Sequence, residues 1–278
     1  MRIQRHSDAA EFLSHSESWL LESEPENNLI LGIARRSRDL PGGIDPNEYW
    51  ATLSEGDRIV GASFRTPPYP LSVTRMPSSA VPVLLQDVAQ EFQKLPGVTG
   101  PTAVTEAFAA GWQERFGVTY RLRFQSRIHA LRTVQDIPNL PRGEFRQMEH
   151  SDEQLIREWM NAFARDAGVS VPSDRFVAPL LEQRKFYFWN HGGPRSMVSA
   201  GRETPNGACI TAVYTPPEFR RKGYATAAVA ALSQMLLTSG KAFCCLYTDL
   251  SNPTSNSIYR KIGYEPVRDD SELEFESP

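Results

Sequence analysis

Residues 213–227 read Val-Tyr-Thr-Pro-Pro-Glu-Phe-Arg-Arg-Lys-Gly-Tyr-Ala-Thr-Ala, and no other stretch limits the fold as strongly. A β-prone segment, 208–215, runs into a double proline, three cations and a glycine. Then Ala225, Ala228, Val229, Leu232, Met235 and Leu236 recur at helical spacing until Gly240. A strand, a basic glycine turn and a helix N-terminus together make an anion site. The first helical N–H groups have no partner inside the helix, and the dipole adds to their pull. Gly223 allows close backbone approach, and Arg220, Arg221 and Lys222 bring charge suited to a pyrophosphate.

A second segment, 252–264, reads as a short helix with Asn252 at its cap, Pro253 at its first position and Gly263 at its end. Asn252, Asn256 and Tyr259 fall at i, i+4 and i+7, on one stripe. Ser255, Ile258 and Ile262 form the neighbouring stripe, expected to face the core. Two amides and a phenol beside an apolar stripe suit a polar ligand lying along the helix.

Together the two segments resemble the GNAT superfamily of N-acyltransferases. Residues 220–225 fit its pyrophosphate loop, Q/R-x-x-G-x-G/A, and residues 252–264 fit its N-x-x-x-x-x-x-Y-x-x-x-G-F/Y segment. The interval between them holds one helix and one strand, as that family requires. The resemblance covers about residues 145–275. The form of both motifs is most similar to an uncharacterised bacterial two-domain branch of predicted acetyltransferases.

The rest of the chain sets bounds. Its 278 residues suit one large domain or two small ones. A net charge of −3 gives no basic footprint for nucleic acid. No apolar run reaches spanning length, and no apolar signal region follows the first residues, so a cytoplasmic protein without membrane partners is expected. Cys209, Cys244 and Cys245 read as buried thiols. The histidines, His6, His15, His129, His150 and His191, form no cluster in sequence, and no metal is expected.

A proline-rich stretch, 137–143, divides the chain into halves, 1–138 and 143–278. The second half reads as a capped helix, 151–167, with Ser151 at the cap, then a helix over 175–183 and a hairpin, 186–189 and 197–202. The strand 208–215, the long helix, a strand over 242–248, the short helix and a strand near 273–275 complete it. Alternating strands and helices predict an α/β (α+β) fold around a mixed sheet. The first half reads as an eroded copy. Helices are expected near 12–22 and 27–35, a hairpin at 49–53 and 59–64, and a helix between Gly100 and Gly117 that mirrors the one between Gly223 and Gly240. Residues 95–101, before that helix, hold no cation, and no Asn…Tyr…Gly segment follows. The expectation is two tandem GNAT-like domains, the first degenerate and without its own CoA.

The resemblance implies direct transfer of an acetyl group from acetyl-CoA to a primary amine. It places the pantetheine arm along Val213, Tyr214 and Thr215 and the diphosphate on the turn from Arg220 through Tyr224, Ala225 and Thr226. It puts Asn252 and Asn256 across from the arm and Tyr259 at the acid position. A backbone N–H near 212–214 is placed to stabilise the oxyanion. A phenol of pKa about 10 is a weaker acid than a thiol of about 8.5, so Tyr259 would act chiefly as a hydrogen-bond donor. The 208–215 strand carries no carboxylate, which leaves Glu203, Asp249 or a water chain as the base, with Glu218 read as solvated. The acceptor is expected to be a small amine or amino acid. A protein lysine or N-terminus and a non-catalytic acyl-CoA sensor are the alternatives, and both monomer and homodimer stay open.

Overall fold

A computed structural model describes residues 1–40, 42–168 and 174–276, without the side chains of 175, 176, 254 and 255, so Ser255 and its stripe assignment lie outside the described side chains. The chain divides into two units. One comprises Met1–Ile128, Asp249–Ser251 and Val267–Pro278, the other His129–Thr248 and Asn252–Pro266.

Unit 1 contains β1 (Arg2–His6), α1 (Ala9–Leu21), α2 (Glu24–Asp39), β2 (Tyr49–Glu55), β3 (Arg58–Arg65), β4 (Leu71–Val73), α3 (Val81–Glu91), β5 (Gly97–Pro101), α4 (Thr102–Phe116) and most of β6 (Thr119–Leu131). Strands β1 to β4 pair antiparallel in sequence order, and β4 and β5 run parallel. One face buries Phe12, Leu20, Leu31, Trp50 and Phe64 beneath α1 and α2. The other buries Leu53, Leu71, Leu84, Val98, Phe108 and Trp112 beneath α3 and α4. Each large apolar side chain withdrawn from water stabilises by about 1.5–3 kcal/mol, so these two layers hold the sheet between them.

Unit 2 contains β7 (Glu144–Gln147), α5 (Glu153–Ala167), α6 (Asp174–Glu182), β8 (Phe186–Asn190), β9 (Pro194–Glu203), β10 (Gly207–Tyr214), α7 (Tyr224–Thr238), β11 (Phe243–Asp249) and α8 (Pro253–Ile262). β7 to β10 form an antiparallel run, and β10 pairs parallel with β11. The cap of the first helix differs from expectation. A short 3-10 turn, His150–Asp152, precedes α5, and the reciprocal capping pair is Glu149 with Asp152. A carboxylate at each end satisfies two orphan N–H groups, and Ser151 is not needed.

The last strand, β12 (Glu265–Glu276), follows unit 2 in sequence, and from residue 267 onward it stands in unit 1. It pairs antiparallel with β5, from Asp270↔Pro101 to Glu274↔Gly97. Its acidic side chains meet arginines of β6, with Arg121 to Glu274 at 2.6 Å, Arg127 to Asp269 at 2.6 Å, and Arg123 to Glu272. The strand expected near 273–275 is therefore present, but it completes the first unit's sheet.

In chain order, β1 to β6 and β7 to β12 enclose the same succession of elements, β-α-α-β-β-β-α-β-α-β. The eroded-copy reading thus holds for element order, with one correction. The position of α7 is taken in unit 1 by α3, and α4 corresponds to α8. The loop to compare with 215–223 is then 74–80, which contains Arg75 but no glycine.

Candidate active site

The site begins where β10 and β11 part. Their parallel pairing runs from Gly207↔Phe243 to Cys209↔Cys245, and β10 continues to Tyr214. Within that continuation β10 is irregular against β9, with register shifts at Ala208/Ile210 and Thr211/Tyr214. Ala212 takes a left-handed φ of 52°. A non-glycine residue pays roughly 1–2 kcal/mol for this conformation, so surrounding packing must hold it. The bulge reverses the strand's facing. Ala208 and Ile210 pack with α7, whereas Ala212 and Tyr214 pack with Trp159 and Phe188 on the opposite side. Val213 then returns to the α7 side. A bulge of this kind re-aims β10 beside the edge where its pairing with β11 ends.

The chain next makes a 3-10 turn, Pro217–Phe219, and enters α7. Two residues of the turn are left-handed, Arg221 at φ 61° and Gly223 at φ 80°. Gly223 stands at the N-cap of α7 and supplies no side-chain cap. The first N–H groups of α7 therefore have neither an intrahelical nor a side-chain acceptor, which leaves a ready anion cradle. The three cations divide their work. Arg220 is turned back onto the protein, where its Nε donates to the Thr215 carbonyl at 2.9 Å, its guanidinium pairs with Asp166, and it lies 5.9 Å over the Tyr214 ring. Lys222 donates to the Glu218 carbonyl at 3.1 Å. Arg221 is exposed and makes no hydrogen bond or ion pair among the described residues. Arg220 thus braces the loop, whereas the Arg221 side chain is exposed beside it.

Two further residues support the loop and were not anticipated. The Tyr224 hydroxyl and His191 Nδ1 are 2.9 Å apart, with His191 in the β8–β9 turn. Arg195 donates to the His191 carbonyl at 2.7 Å and lies 4.3 Å over the Phe219 ring. Nothing in linear order links 191, 195, 219 and 224, since only the hairpin brings them together. Tyr214 and Thr226 are buried. Thr215 donates its hydroxyl to Ser196 at 2.9 Å.

On α8 the expected stripe is split. Asn252 is exposed and its carbonyl receives both the N–H of Asn256 at 3.2 Å and the Asn256 side-chain amide at 3.0 Å. Tyr259 is only 7% exposed and belongs to the core with Ile262 and Tyr264, whose ring stands edge-on at 5.9 Å. Burial pushes its hydroxyl up to about 12. Of the three residues expected on one stripe, Asn252 is exposed whereas Tyr259 packs inward with Ile262.

Of the carboxylates considered as base, Glu203 is bound between Lys185 and Lys241, the latter at 3.1 Å. Burial works to raise its pKa, but hydrogen bonds and charge from both lysines prevail and hold it below its ordinary value. Asp249 caps a turn, accepting from the Ser251 N–H and hydroxyl at 2.7 Å each, and stands in unit 1. Glu218 is exposed.

The three cysteines are buried, as expected. Cys209 and Cys245 are register partners on the two strands, and Arg202 donates to Cys209 Sγ at 3.3 Å. The hydrogen bond from Cys245 and the Arg202 charge push the Cys209 thiol down to about 6, while burial adds to the opposite shift at Cys245.

Residues 191–272 match the family model described as FR47-like protein, a span that includes both motif segments. No curated protein matches the chain in sequence. Solved structures match it along its length. An acetyltransferase of the GNAT family from Colwellia psychrerythraea is similar at TM-score 0.56 and 14% identity, covering 100% of both chains. A GCN5-related N-acetyltransferase from Sphaerobacter thermophilus is similar at TM-score 0.63 and 15% identity, covering 99% of this chain and 96% of that one. A tandem GNAT protein from the clavulanic acid biosynthesis pathway is similar at TM-score 0.54 and 14% identity, covering 100% and 99%. The chain thus shares the fold of these GNAT proteins, including that of the tandem one. Among the described residues, no helix is long and apolar enough to cross a membrane.

Proposed function

We propose that unit 2 binds acetyl-CoA and transfers its acetyl group to a primary amine of a small molecule or amino acid, by direct attack in a ternary complex. The observation that carries this reading is a juxtaposition. The gap opened beyond Cys209↔Cys245 leads to an uncapped helix N-terminus with Gly223 left-handed and Arg221 unpaired. An amide-rich pantetheine arm matches the first part, as an added strand would. A diphosphate matches the second.

The amine attacks the thioester carbonyl, and the negative charge that develops on oxygen is met by backbone N–H groups of the bulged segment 212–214. The adduct's nitrogen gives its extra proton to water, and collapse of the adduct breaks the C–S bond and leaves the amide and a thiolate. Tyr259 on α8 offers its hydroxyl as the donor to that sulfur. With Glu203 held by two lysines, the ammonium proton leaves through water, so the attacking species is the free amine fraction set by bulk pH.

Unit 1 is proposed to lack a CoA site. At its corresponding position β4 ends with its pairing, and a Cβ at Gly100 would meet the Val73 carbonyl oxygen at 2.3 Å, so these strands do not open. The helix that follows begins Val81-Pro82, and the proline removes one of the N–H groups an anion would use.

Release of free CoA thiol from acetyl-CoA in the presence of an amine panel tests the reading. Amine-dependent release by the wild type, greatly reduced in Gly223→Asp at acetyl-CoA concentrations that do not saturate the variant, is expected. Tight acetyl-CoA binding with no release on any amine would make the protein an acyl-CoA sensor.

A further inference from the structure

His6, Glu11 and His15 have no part in the proposed transfer, yet the fold of unit 1 gathers them at one point. They lie 4 to 9 residues apart in sequence. His6 closes β1, whereas Glu11 and His15 sit one turn apart on α1. One donor atom from each residue lies within 4.8 Å of the other two. The two imidazole rings are 5.0 Å apart, and His6 Nδ1 is 4.0 Å from a Glu11 carboxylate oxygen. The histidines that form no cluster in sequence therefore do so in space.

The hydrogen bonds around these groups turn the right atoms inward. His15 Nδ1 is 2.9 Å from the Glu11 carbonyl oxygen, which can only accept. That nitrogen carries the proton, and His15 Nε2 is left with a bare lone pair. His6 Nε2 is bound to the Thr52 hydroxyl at 3.0 Å. Its Nδ1 is sealed from solvent and has no hydrogen-bond partner among the described residues. The His6 side chain is 0% exposed, so this orphan nitrogen is costly unless something fills the space it faces. One Glu11 oxygen is held by the Ser7 N–H at 2.7 Å and the Ser7 hydroxyl at 2.8 Å, leaving the other to the cluster. Outer hydrogen bonds of this kind fix the tautomer and orientation of metal ligands.

We propose that His6 Nδ1, Glu11 and His15 bind a divalent transition-metal ion of the Zn²⁺ class. Two imidazoles and a carboxylate suit such an ion, with bonds of about 2.0–2.2 Å. Donors at that distance around a tetrahedral centre stand about 3.4 Å apart. Closing from the present spacing asks for movement of less than about 1 Å by each donor. His15 on the open face of α1 and the partly exposed Glu11 side chain are free to make it. His15 is exposed, so water is available to complete the shell. The ion would tie the end of β1 to α1, and its effect would be read in the stability of unit 1.

Zn²⁺ titration of tag-free full-length protein tests this, followed by a competing chromophoric chelator and by thermal unfolding. Wild type is expected to bind one Zn²⁺ per chain and to melt at a higher temperature with the ion than after chelation. His15→Ala, at the exposed rim, should keep its fold by circular dichroism. It should bind at least about 100-fold more weakly, beyond the roughly 10–100-fold of an outer-shell loss. Co²⁺ should give a visible spectrum without a thiolate charge-transfer band. Absence of stoichiometric binding by folded wild type would overturn the proposal. So would binding undiminished in His15→Ala, or a thiolate band, which would place the ion at the cysteines.

Discussion

Gly223 offers the sharpest separation of backbone strain from ligand charge. Its φ of 80° costs an ordinary residue, and a Cβ there would stand 3.3 Å from Pro141 Cδ, so the proline ring must yield slightly. Gly223→Ala should therefore lose about 1–2 kcal/mol of stability. Gly223→Asp pays the same backbone term, somewhat relieved because aspartate tolerates the left-handed region. Its carboxylate, however, sits where the diphosphate is proposed to lie. A unit charge about 5 Å from another at an effective dielectric near 20 opposes it by about 3 kcal/mol. Solvent at the exposed loop reduces that to about 2 kcal/mol, or roughly 30-fold in affinity. Calorimetric titration with acetyl-CoA, alongside circular-dichroism melts, reads both quantities. Similar melting of the two variants with at least about 30-fold weaker binding by Gly223→Asp alone is expected. Equal affinities for Ala and Asp would refute the placement of the diphosphate.

Tyr259→Phe should keep its packing and leave KM for acetyl-CoA nearly constant while kcat falls. With the hydroxyl at about 12 and a free thiol near 8.5, full proton transfer is uphill by about 5 kcal/mol, so only a hydrogen bond is lost and a fall of about 10- to 100-fold is expected. Unchanged kcat, with chemistry shown to be rate-limiting, would leave the ring a packing residue. Arg221→Ala should weaken acetyl-CoA binding roughly tenfold and flatten its salt dependence. Arg220→Ala should cost less in affinity and at most about 1 kcal/mol in stability, since its pair with Asp166 is 44% and 49% exposed; the reverse order would show that Arg220 leaves its brace. The Cys209 thiol, held at about 6 against about 8.5 unfolded, favours the folded state once ionised. Stability should then rise with pH from about 6 to about 8.5 and lose this contribution below 6, as denaturant midpoints across that range would read, and Cys209→Ser should remove the slope. A wild-type slope that persists in Cys209→Ser would assign it elsewhere.

What could be read beforehand follows the range of the interactions. The β10–loop–α7 succession was legible because its signals are local: prolines, a cation run, Gly223 and an apolar period. The same holds for the β8–β9 hairpin and for α8, each bounded by turn residues. β12 was visible as a strand but not as part of unit 1, because its partners, β5 and the arginines of β6, lie more than a hundred residues upstream. β6 alternates Arg121, Arg123 and Arg127 with Tyr120, Leu122 and Phe124, a pattern that becomes meaningful only opposite the acids of β12. Gly100 and Gly117 reproduce the spacing of Gly223 and Gly240 and so point to α4 as the counterpart of α7, whereas short β4 and the proline-led α3 carry only a weak local signal. At the site, the residue types were readable but their duties were not. Arg220, Arg221 and Lys222 are equivalent in sequence, and only the carbonyl of Thr215 and the carboxylate of Asp166 distinguish the brace from the free cation.

The central proposal is one acetyl-CoA site, in unit 2, at the opened strands and the N-terminus of α7. Calorimetric titration of the full chain with acetyl-CoA tests it most directly. The account predicts one site per chain, weakened at least about 30-fold in Gly223→Asp. Two sites would contradict the closed strands of unit 1, and no binding by the folded wild type would contradict the site itself.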